Sequence, residues 1–402
     1  MELLEKLDIL GTAAKFDVCA ASGSNKKIQG ASFGAVSPSG VCHSFTPDGR
    51  CISLFKVLMT NECEQDCGYC QNNCHRDIRR ARFTPEELVR LFVQFYTRNY
   101  VEGLFLSSGI RASSNRTMED MLQVVAQLRI KHRFGGYIHL KILPGCEESM
   151  IEKAVSLCNR VSVNIEVPSD RHMEKLSRKK NFERDILGTI GKISRQLKKE
   201  QGVTQTTQYV VGAAGETDQE IFHSVSQLYH TYNLKRAYYS AYQPIGQGSF
   251  AAKRENLLVR ENRLYQMDFL MRQYHFKSDE FVFERDGNLN YKVDPKMAYA
   301  VNNMHLFPID LQKATETELL RIPGIGPTSC RRILQIRKSV RLTDLQQLKH
   351  MGVVIKRAAP FILLNGKAFG SLDELLKGER PMYEQLTIEQ FIKESVGYDT
   401  IQ

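Results

Sequence analysis

The chain of 402 residues has no tryptophan, no apolar run approaching 18 residues and no second paired-cysteine hook. Without such a run no transmembrane helix is expected, because crossing the hydrocarbon core takes about 20 apolar residues. The opening Met1-Glu2-Leu3-Leu4-Glu5-Lys6 lacks the basic region and long apolar core of a secretory signal. Ten cysteines without regular pairing in an unexported chain point to a reducing cytosol, so a cytoplasmic protein is expected. With tryptophan absent, 16 tyrosines are left as residues able to stack on a base. What is in excess is positive charge. A net charge of +10 suits a polyanionic partner without identifying it.

Three cysteines stand in Cys63-Glu64-Gln65-Asp66-Cys67-Gly68-Tyr69-Cys70, a C-x3-C-x2-C spacing that follows a strand-like run from Ile52 to Met59. Three thiols in one short loop can hold an iron–sulfur cluster, a zinc ion or a disulfide. A structural zinc site wants four ligands, so the spacing favours a cubane cluster with one of its four irons left open. Cys74, just after Asn72-Asn73, falls outside the spacing and reads as a non-ligand. Cys19, Cys42 and Cys51 could form a second metal site with His43, although their irregular intervals favour free thiols. The octet, with an aromatic residue before its third cysteine, resembles the signature of the radical S-adenosylmethionine (SAM) superfamily. That resemblance implies a 4Fe–4S cluster on Cys63, Cys67 and Cys70, whose open iron takes the methionine end of S-adenosylmethionine. One electron, from a donor such as flavodoxin or ferredoxin, then splits the cofactor to a 5′-deoxyadenosyl radical.

Strand candidates at 52–60, 102–108, 137–143, 160–167, 205–211 and 235–242 alternate with helices. Two helices open with capping boxes, Thr84-Pro85-Glu86-Glu87 and Thr217-Asp218-Gln219-Glu220. Continuous apolar strands in this alternation predict right-handed βαβ units around a buried parallel sheet. Six units are two short of a closed eightfold barrel and fit the superfamily's partial (βα)6 barrel, an α/β fold. Its site gathers at the carboxyl ends of the strands. Ser107, Ser108 and Gly109 resemble the segment that receives the cofactor's amino group, although no glutamate follows. The run from Tyr209 to Thr217 resembles an "IVGxPGET" segment with Ala214 in place of proline, which puts Gly212 and Glu216 beside the cofactor.

In the 160–167 strand Ser162, Asn164 and Glu166 share one face, expected to turn inward, and Asn164 and Glu166 are candidates for holding a ribose. Cys146, just past the third strand, and Tyr242, at the end of the sixth, are candidate hydrogen-atom donors. Tyr239 cannot face inward together with Tyr242 in a regular strand. Arg76, Arg79, Arg80 and Arg82 are expected to meet phosphate near the rim. A second basic run, Lys175, Arg178, Lys179 and Lys180, follows the fourth strand, and Lys192, Arg195, Lys198 and Lys199 read as a solvated helix face. His75 and His172 are expected to be solvated or phosphate-facing.

Towards the other end, the run from Thr315 through Pro323-Gly324-Ile325-Gly326-Pro327-Thr328 reads as a capped short helix, a glycine hairpin and a second helix to about Lys338. It resembles the helix–hairpin–helix module, whose glycines let backbone N–H groups approach a DNA phosphate at a helix N-terminus. Gly324, Ile325, Gly326, Thr328, Arg331 and Arg332 are the candidate DNA contacts. A shift of 28 residues lays Thr315 on Thr343, Glu318 on Gln346 and Gly324 on Gly352. The second hairpin, degenerate at Val354, is expected to pack on the first in a four-helix unit.

The expected domains are a loop-rich segment at 1–50, the partial barrel at 51–250 and a helical bridge at 251–310. A C-terminal all-α helix–hairpin–helix domain at 311–370 and a tail at 371–402 follow. This combination resembles an uncharacterised radical-SAM family linked to DNA modification or repair, to about residue 370. The resemblance implies an enzyme acting on nucleic acid, with DNA as the substrate. The alternatives are an RNA- or tRNA-modifying enzyme and a DNA-binding protein with a structural or redox-sensing cluster.

Overall fold

The computed structural model describes residues 1–14, 41–45, 51–243 and 254–369. Cys19, the 371–402 tail and the side chains of Cys42 and His43 lie outside the described residues. The chain divides into two units, residues 1–216 with 220–252 and residues 217–219 with 253–402.

The first unit opens with helix α1 (Leu3–Ala13) and two strands, β1 (Val41–Phe45) and β2 (Cys51–Leu58). From β2 it alternates through α2 (Pro85–Thr97), β3 (Gly103–Ser107), α3 (Ser114–Ala126), β4 (Tyr137–Lys141), α4 (Glu148–Leu157) and β5 (Arg160–Ser162). Helices α5 (Asp170–Leu176) and α6 (Gly188–Leu197), strand β6 (Thr204–Val211), helix α7 (Asp218–Tyr232) and strand β7 (Arg236–Ala241) complete the run. Strands β2 to β7 are parallel and neighbour one another in sequence order, as successive right-handed βα units require. They form the expected curled half-barrel. Thr84 and Glu87 close the capping box of α2, with Pro85 in its first turn. Strand β1 pairs antiparallel with β2, within the 1–50 segment expected to be loop-rich. It is a short edge strand whose existence depends on its partner more than on its own propensity.

The register assigns the two faces of the sheet. Phe55 meets Phe95 of α2 edge-on at 5.1 Å between ring centroids, so its side of the sheet faces the helices. Its neighbours on that side, Val57, Leu104, Leu106, Ile138, Leu140 and Val161, are fully buried. The alternate residues line the concave side. Ser162 is among them, its hydroxyl 2.8 Å from Nε2 of His139.

The fourth barrel strand is shorter than expected. Regular pairing ends at Ser162, and Glu166 has φ of +68° before it bridges back to Tyr209. The hydroxyl of Thr207 explains the break. It donates to the Val163 carbonyl at 2.6 Å and accepts from the Ile165 N–H at 3.0 Å, replacing ladder bonds with a side chain. Glu166 is therefore aimed by a kink and not by strand alternation.

The second unit starts with α8 (Arg254–Tyr274) and α9 (Pro295–Asn302) and passes through β8 (Ile309–Asp310). Four short helices follow, α10 (Glu316–Arg321), α11 (Pro327–Ile336), α12 (Leu345–His350) and α13 (Ile355–Ala358). Strands β9 (Ile362–Leu364) and β10 (Lys367–Ala368) then complete a three-stranded sheet with β8, so this unit is not all-α. Asn365-Gly366, both at positive φ, turn the β9–β10 hairpin, a strong local signal that the sequence reading passed over.

Between α10 and α11 the chain turns at Gly324 (φ +87°), and between α12 and α13 at Gly352 (φ +86°). The first cap is Thr315 with Glu318, as expected. The second is Asp344 with Gln347, one residue beyond the repeat, because aspartate is the stronger cap. The two turns meet, with the Val354 N–H donating to the Gly324 carbonyl at 3.0 Å. Ile325 is buried, and its carbonyl accepts from the enclosed Lys296 ammonium at 2.5 Å. Burial pushes that lysine well below the usual range.

A Cβ at position 324 would lie 2.5 Å from the Val354 carbonyl oxygen, whereas one at 326 would meet only the Tyr274 hydroxyl at 3.3 Å. Gly324→Ala should therefore destabilise this unit by at least about 1–2 kcal/mol, from left-handed backbone strain alone. Gly326→Ala should cost less than about 1 kcal/mol. Denaturant unfolding of the full chain, followed by the second unit's transition, reads the difference.

Candidate active site

The 63–70 loop leaves the carboxyl end of β2 without regular secondary structure, so its main-chain groups must be met by neighbours. Arg80 meets several. Its Nη1 donates to the carbonyls of Asn61 (2.6 Å) and Asn72 (2.9 Å), and its Nη2 to those of Asn73 (2.7 Å) and Arg76 (2.9 Å). The Asn73 amide donates to the Cys67 carbonyl at 2.9 Å, and the Cys74 N–H to the Gln65 carbonyl at 2.9 Å. On the flank, Asp66 accepts from the Ser177 hydroxyl and, at 3.1 Å, from the Arg178 N–H. Burial works to raise the Asp66 carboxyl, but these donors hold it below the usual range. Arg79 pairs with Glu5 of α1. Arg80 is thus engaged in holding the loop and not in meeting a phosphate as expected, whereas Arg79 stays exposed beside Glu5.

The end of β3 closes over the loop. Gly109 N–H donates to the Thr60 carbonyl at 2.7 Å and Glu64 N–H to the Ile110 carbonyl at 2.8 Å, while Ile110 N–H points at Cys63 Sγ at 3.4 Å. A Cβ at 109 would stand 3.0 Å from both the Cys63 Cβ and the Glu62 carbonyl oxygen, which explains the glycine. Ser107 is buried, and Ser108 Oγ is a buried polar atom with no hydrogen-bond partner.

Beside the thiols lies a lysine that the sequence reading did not single out. Lys180 Nζ is 4.0 Å from Glu166 Oε1 and 3.4 Å from the Tyr69 hydroxyl. Burial works to lower its pKa, but Cys67 and Glu166 raise it more. Burial pushes the thiols of Cys67 and Cys70 up, Cys70 to about 12, and Lys180 works against this. Glu166 Oε2 is enclosed without a hydrogen-bond partner. The neighbouring Lys179 donates to the Glu64 carbonyl at 2.6 Å, and Lys175 to the Ala214 carbonyl at 2.9 Å. The only hint of these roles in the sequence is a basic run placed after a barrel strand.

The turn after β6 is built on Gly212 (φ +86°) and Gly215 (φ +73°). The buried carboxylate of Glu216 accepts from the Gly212 N–H and, at 3.0 Å, from the Ala214 N–H. Glu216 therefore shapes the turn from within. A cavity of about 190 Å³ opens next to the cysteine loop, with Gln65, Ile110, Ser114, Gly145, Lys180 and Asp185 among its lining.

The other candidates are more scattered. Asn164 is half-buried at the strand ends. Cys146 is fully enclosed, and burial raises its thiol to about 11, with Lys192 of α6 and Glu147 as its charged neighbours. Tyr242, buried just past β7, keeps the parity of Tyr238 and Ser240 on the concave side, and Tyr239 packs on Tyr209 at 5.8 Å in the opposite layer. His172 is neither solvated nor phosphate-facing. It is buried against Ser169, and burial first, then Arg171 and Lys175, lower it to about 4. Among the described residues no three His, Cys, Asp or Glu side chains gather as a single metal ion requires. Thiols that each hold a separate iron of a cluster need not.

Residues 57–228 match the family model described as "Radical SAM superfamily". These residues form a radical SAM domain. Radical SAM proteins are enzymes that use a 4Fe–4S cluster and S-adenosylmethionine, and these are the cofactors of this domain. No curated protein sequence matches the chain. Among solved structures, methylornithine synthase (PylB) is 15% identical with a TM-score of 0.41, over 52% of this chain and 60% of its own. The FeFe-hydrogenase maturase HydG from Carboxydothermus hydrogenoformans is 12% identical with a TM-score of 0.43, over 52% of this chain and 50% of its own. The methyltransferase TsrM from Kitasatospora setae, with cobalamin and a [4Fe-4S] cluster bound, is 14% identical with a TM-score of 0.36, over 46% of this chain and 33% of its own. The chain thus spans about half the length of the first two. Among the described residues no helix is long and apolar enough to cross a membrane.

The residues fit the radical SAM cofactors. Cys63, Cys67 and Cys70 offer three thiols from one clamped loop, and the partnerless Ser108 Oγ and Glu166 Oε2 offer hydrogen-bonding atoms for a polar cofactor beside it. Replacing any of the three thiols by alanine should abolish iron binding, whereas Cys74→Ala should keep it, as read from iron content and visible absorbance. Arg80→Met should lower iron loading with every thiol intact. It should also cost about 2–4 kcal/mol in unfolding free energy, because buried loop carbonyls lose a charged donor.

Proposed function

We propose that this radical SAM enzyme acts on DNA, modifying or repairing a base. The observation that carries this reading is the α10–α11 hairpin, which resembles a helix–hairpin–helix module. Helix α11 opens at Gly326-Pro327 without a side-chain cap, and Thr328, Arg331 and Arg332 are exposed along its first turns. A helix N-terminus with two guanidinium groups close behind it suits a phosphodiester. Gly324 is taken up by the second hairpin and the Ile325 side chain by the core, so the contact falls to Gly326, Thr328, Arg331 and Arg332. The net charge of +10 agrees with a polyanionic substrate.

When bound, the cluster and S-adenosylmethionine supply hydrogen-atom abstraction. The protein's own residues then have three tasks. Cys63, Cys67 and Cys70 would hold the irons. Ser107 to Gly109, Asn164, Glu166 and the Gly212 to Glu216 turn would orient the nucleoside and amino-acid ends of the cofactor. Tyr242, on the concave side, is better placed than the enclosed Cys146 to return a hydrogen atom to the substrate. The electron would come from a small donor protein such as a flavodoxin or ferredoxin.

Anaerobic reconstitution with reductant and S-adenosylmethionine, assayed for 5′-deoxyadenosine with and without DNA, tests the reading. Stimulation by DNA is expected. Stimulation by RNA alone would move the substrate to RNA, and a loaded cluster with no cleavage would make the cluster structural. Independently, Arg331→Gln with Arg332→Gln should weaken DNA binding equally for all sequences. The slope of log K against log salt should become shallower by about 2, one counterion per lost phosphate contact.

A further inference from the structure

The concave face of the half-barrel is basic. Lys56, Phe105, His139 and Arg160 form one register row on that side, and Lys141 and Arg236 belong to the next row on the same side. None of the described strand positions on that face is acidic. Lys56, His139 and Lys141 are buried. Aromatic rings support the cations: Lys56 lies over Phe105 at 5.8 Å, Arg160 over Tyr137 at 5.8 Å and Arg236 over Tyr238 at 5.0 Å. Cation–π contacts of this kind contribute about 0.5–2 kcal/mol, less than the several kcal/mol that enclosing a charge costs. A face that concentrates one sign of charge in this way is built for the opposite sign.

Two donors on this face have no partner. Thr206 Oγ1 is enclosed on a residue 1% exposed, and Arg236 Nε is likewise buried, both without a hydrogen bond. They are direct neighbours in the β6–β7 ladder, and Thr206 is also opposite Ser162, which in turn is opposite Lys141. One register row therefore runs Lys141, Ser162, Thr206, Arg236 across the inner wall of a curled sheet.

We propose that this row binds a phosphoryl group of the substrate, with Lys141, Thr206 and Arg236 as its donors. Lys56, His139 and Arg160 set the surrounding field. Donors on three different strands suit the tetrahedral array of oxygens on a phosphoryl group better than the planar pair of a carboxylate, and clustered positive charge suits its anion. The inference stands on the barrel alone. It sharpens the proposed nucleic-acid reading, because the aromatic residues beside the cations suit a substrate that joins a phosphate to a ring.

The test uses the reconstituted full-length protein and equilibrium dialysis against 2′-deoxynucleoside 5′-monophosphates, the matching nucleosides, inorganic phosphate and a short single-stranded oligonucleotide. The monophosphates should bind about ten-fold or more tightly than the nucleosides, and inorganic phosphate should compete. Arg236→Gln should bring the preference below about two-fold. Thr206→Val, nearly isosteric, repeats the measurement where Arg236→Gln disturbs folding, with iron content as the control. Equal binding of monophosphate and nucleoside, or an unchanged preference in both variants, overturns the proposal. Competition by the oligonucleotide supports a phosphate within a strand, and competition by the mononucleotide alone supports a free nucleotide. A protein that binds monophosphates and no oligonucleotide keeps this site and removes the DNA reading. One that binds oligonucleotides without preferring monophosphate to nucleoside does the reverse.

Discussion

Arg80 spreads one guanidinium across four main-chain carbonyls, those of Asn61, Asn72, Asn73 and Arg76, and the chemistry of the domain depends on that clamp. A loop that must present three thiols to a cluster cannot be a helix or a strand, because neither brings residues 63, 67 and 70 to one point. It therefore forgoes regular hydrogen bonds and needs them supplied from outside. Arg80 supplies them from the chain that follows, Asp66 anchors the loop to the 177–178 turn, and Gly109 lets the β3 end close from the third side. The same contacts bring Ser108 and Glu166 to the thiols.

The two faces of the half-barrel answer to different demands. From β2 to β5 the helix side is apolar and buried at Phe55, Val57, Leu104, Leu106, Ile138, Leu140 and Val161, and its packing supplies the hydrophobic stabilisation expected of a parallel sheet covered by helices. Beside an apolar cluster of Ile52, Leu54 and Phe105, the concave side carries lysines, arginines, histidine and hydroxyls. Burying such groups is costly, so their presence marks this face as the working surface. The kink at Glu166 belongs to the same pattern. Thr207 replaces two backbone partners, the strand ends early, and a carboxylate at positive φ is delivered beside Lys180.

In the second unit, glycine serves internal packing before it can serve recognition. Gly324 lies so close to Val354 that a side chain has no room, and the buried Lys296 fills the hydrogen-bonding need of the hairpin carbonyl from beneath. Neither short hairpin could bury a core by itself. The surface left for a ligand is the opening of α11 and the arginines behind it.

Much of this was legible in the chain. Alternating apolar runs determine six parallel strands, because only a sheet covered on both faces tolerates them, and C-x3-C-x2-C determines a three-thiol loop whatever surrounds it. Capping residues marked α2 and α10 because a cap is a contact between near neighbours in sequence. Tertiary structure alone decided the rest. The partners of Arg79 and Arg80, the burial of His172 and Cys146, the placement of Lys180 and the kink at Glu166 all come from contacts between residues far apart in sequence. No local pattern encodes such contacts. The basic concave face is the sharpest case. Lys56, His139, Lys141, Arg160 and Arg236 lie on four strands within 181 residues of chain, and only the parallel register brings them to one wall.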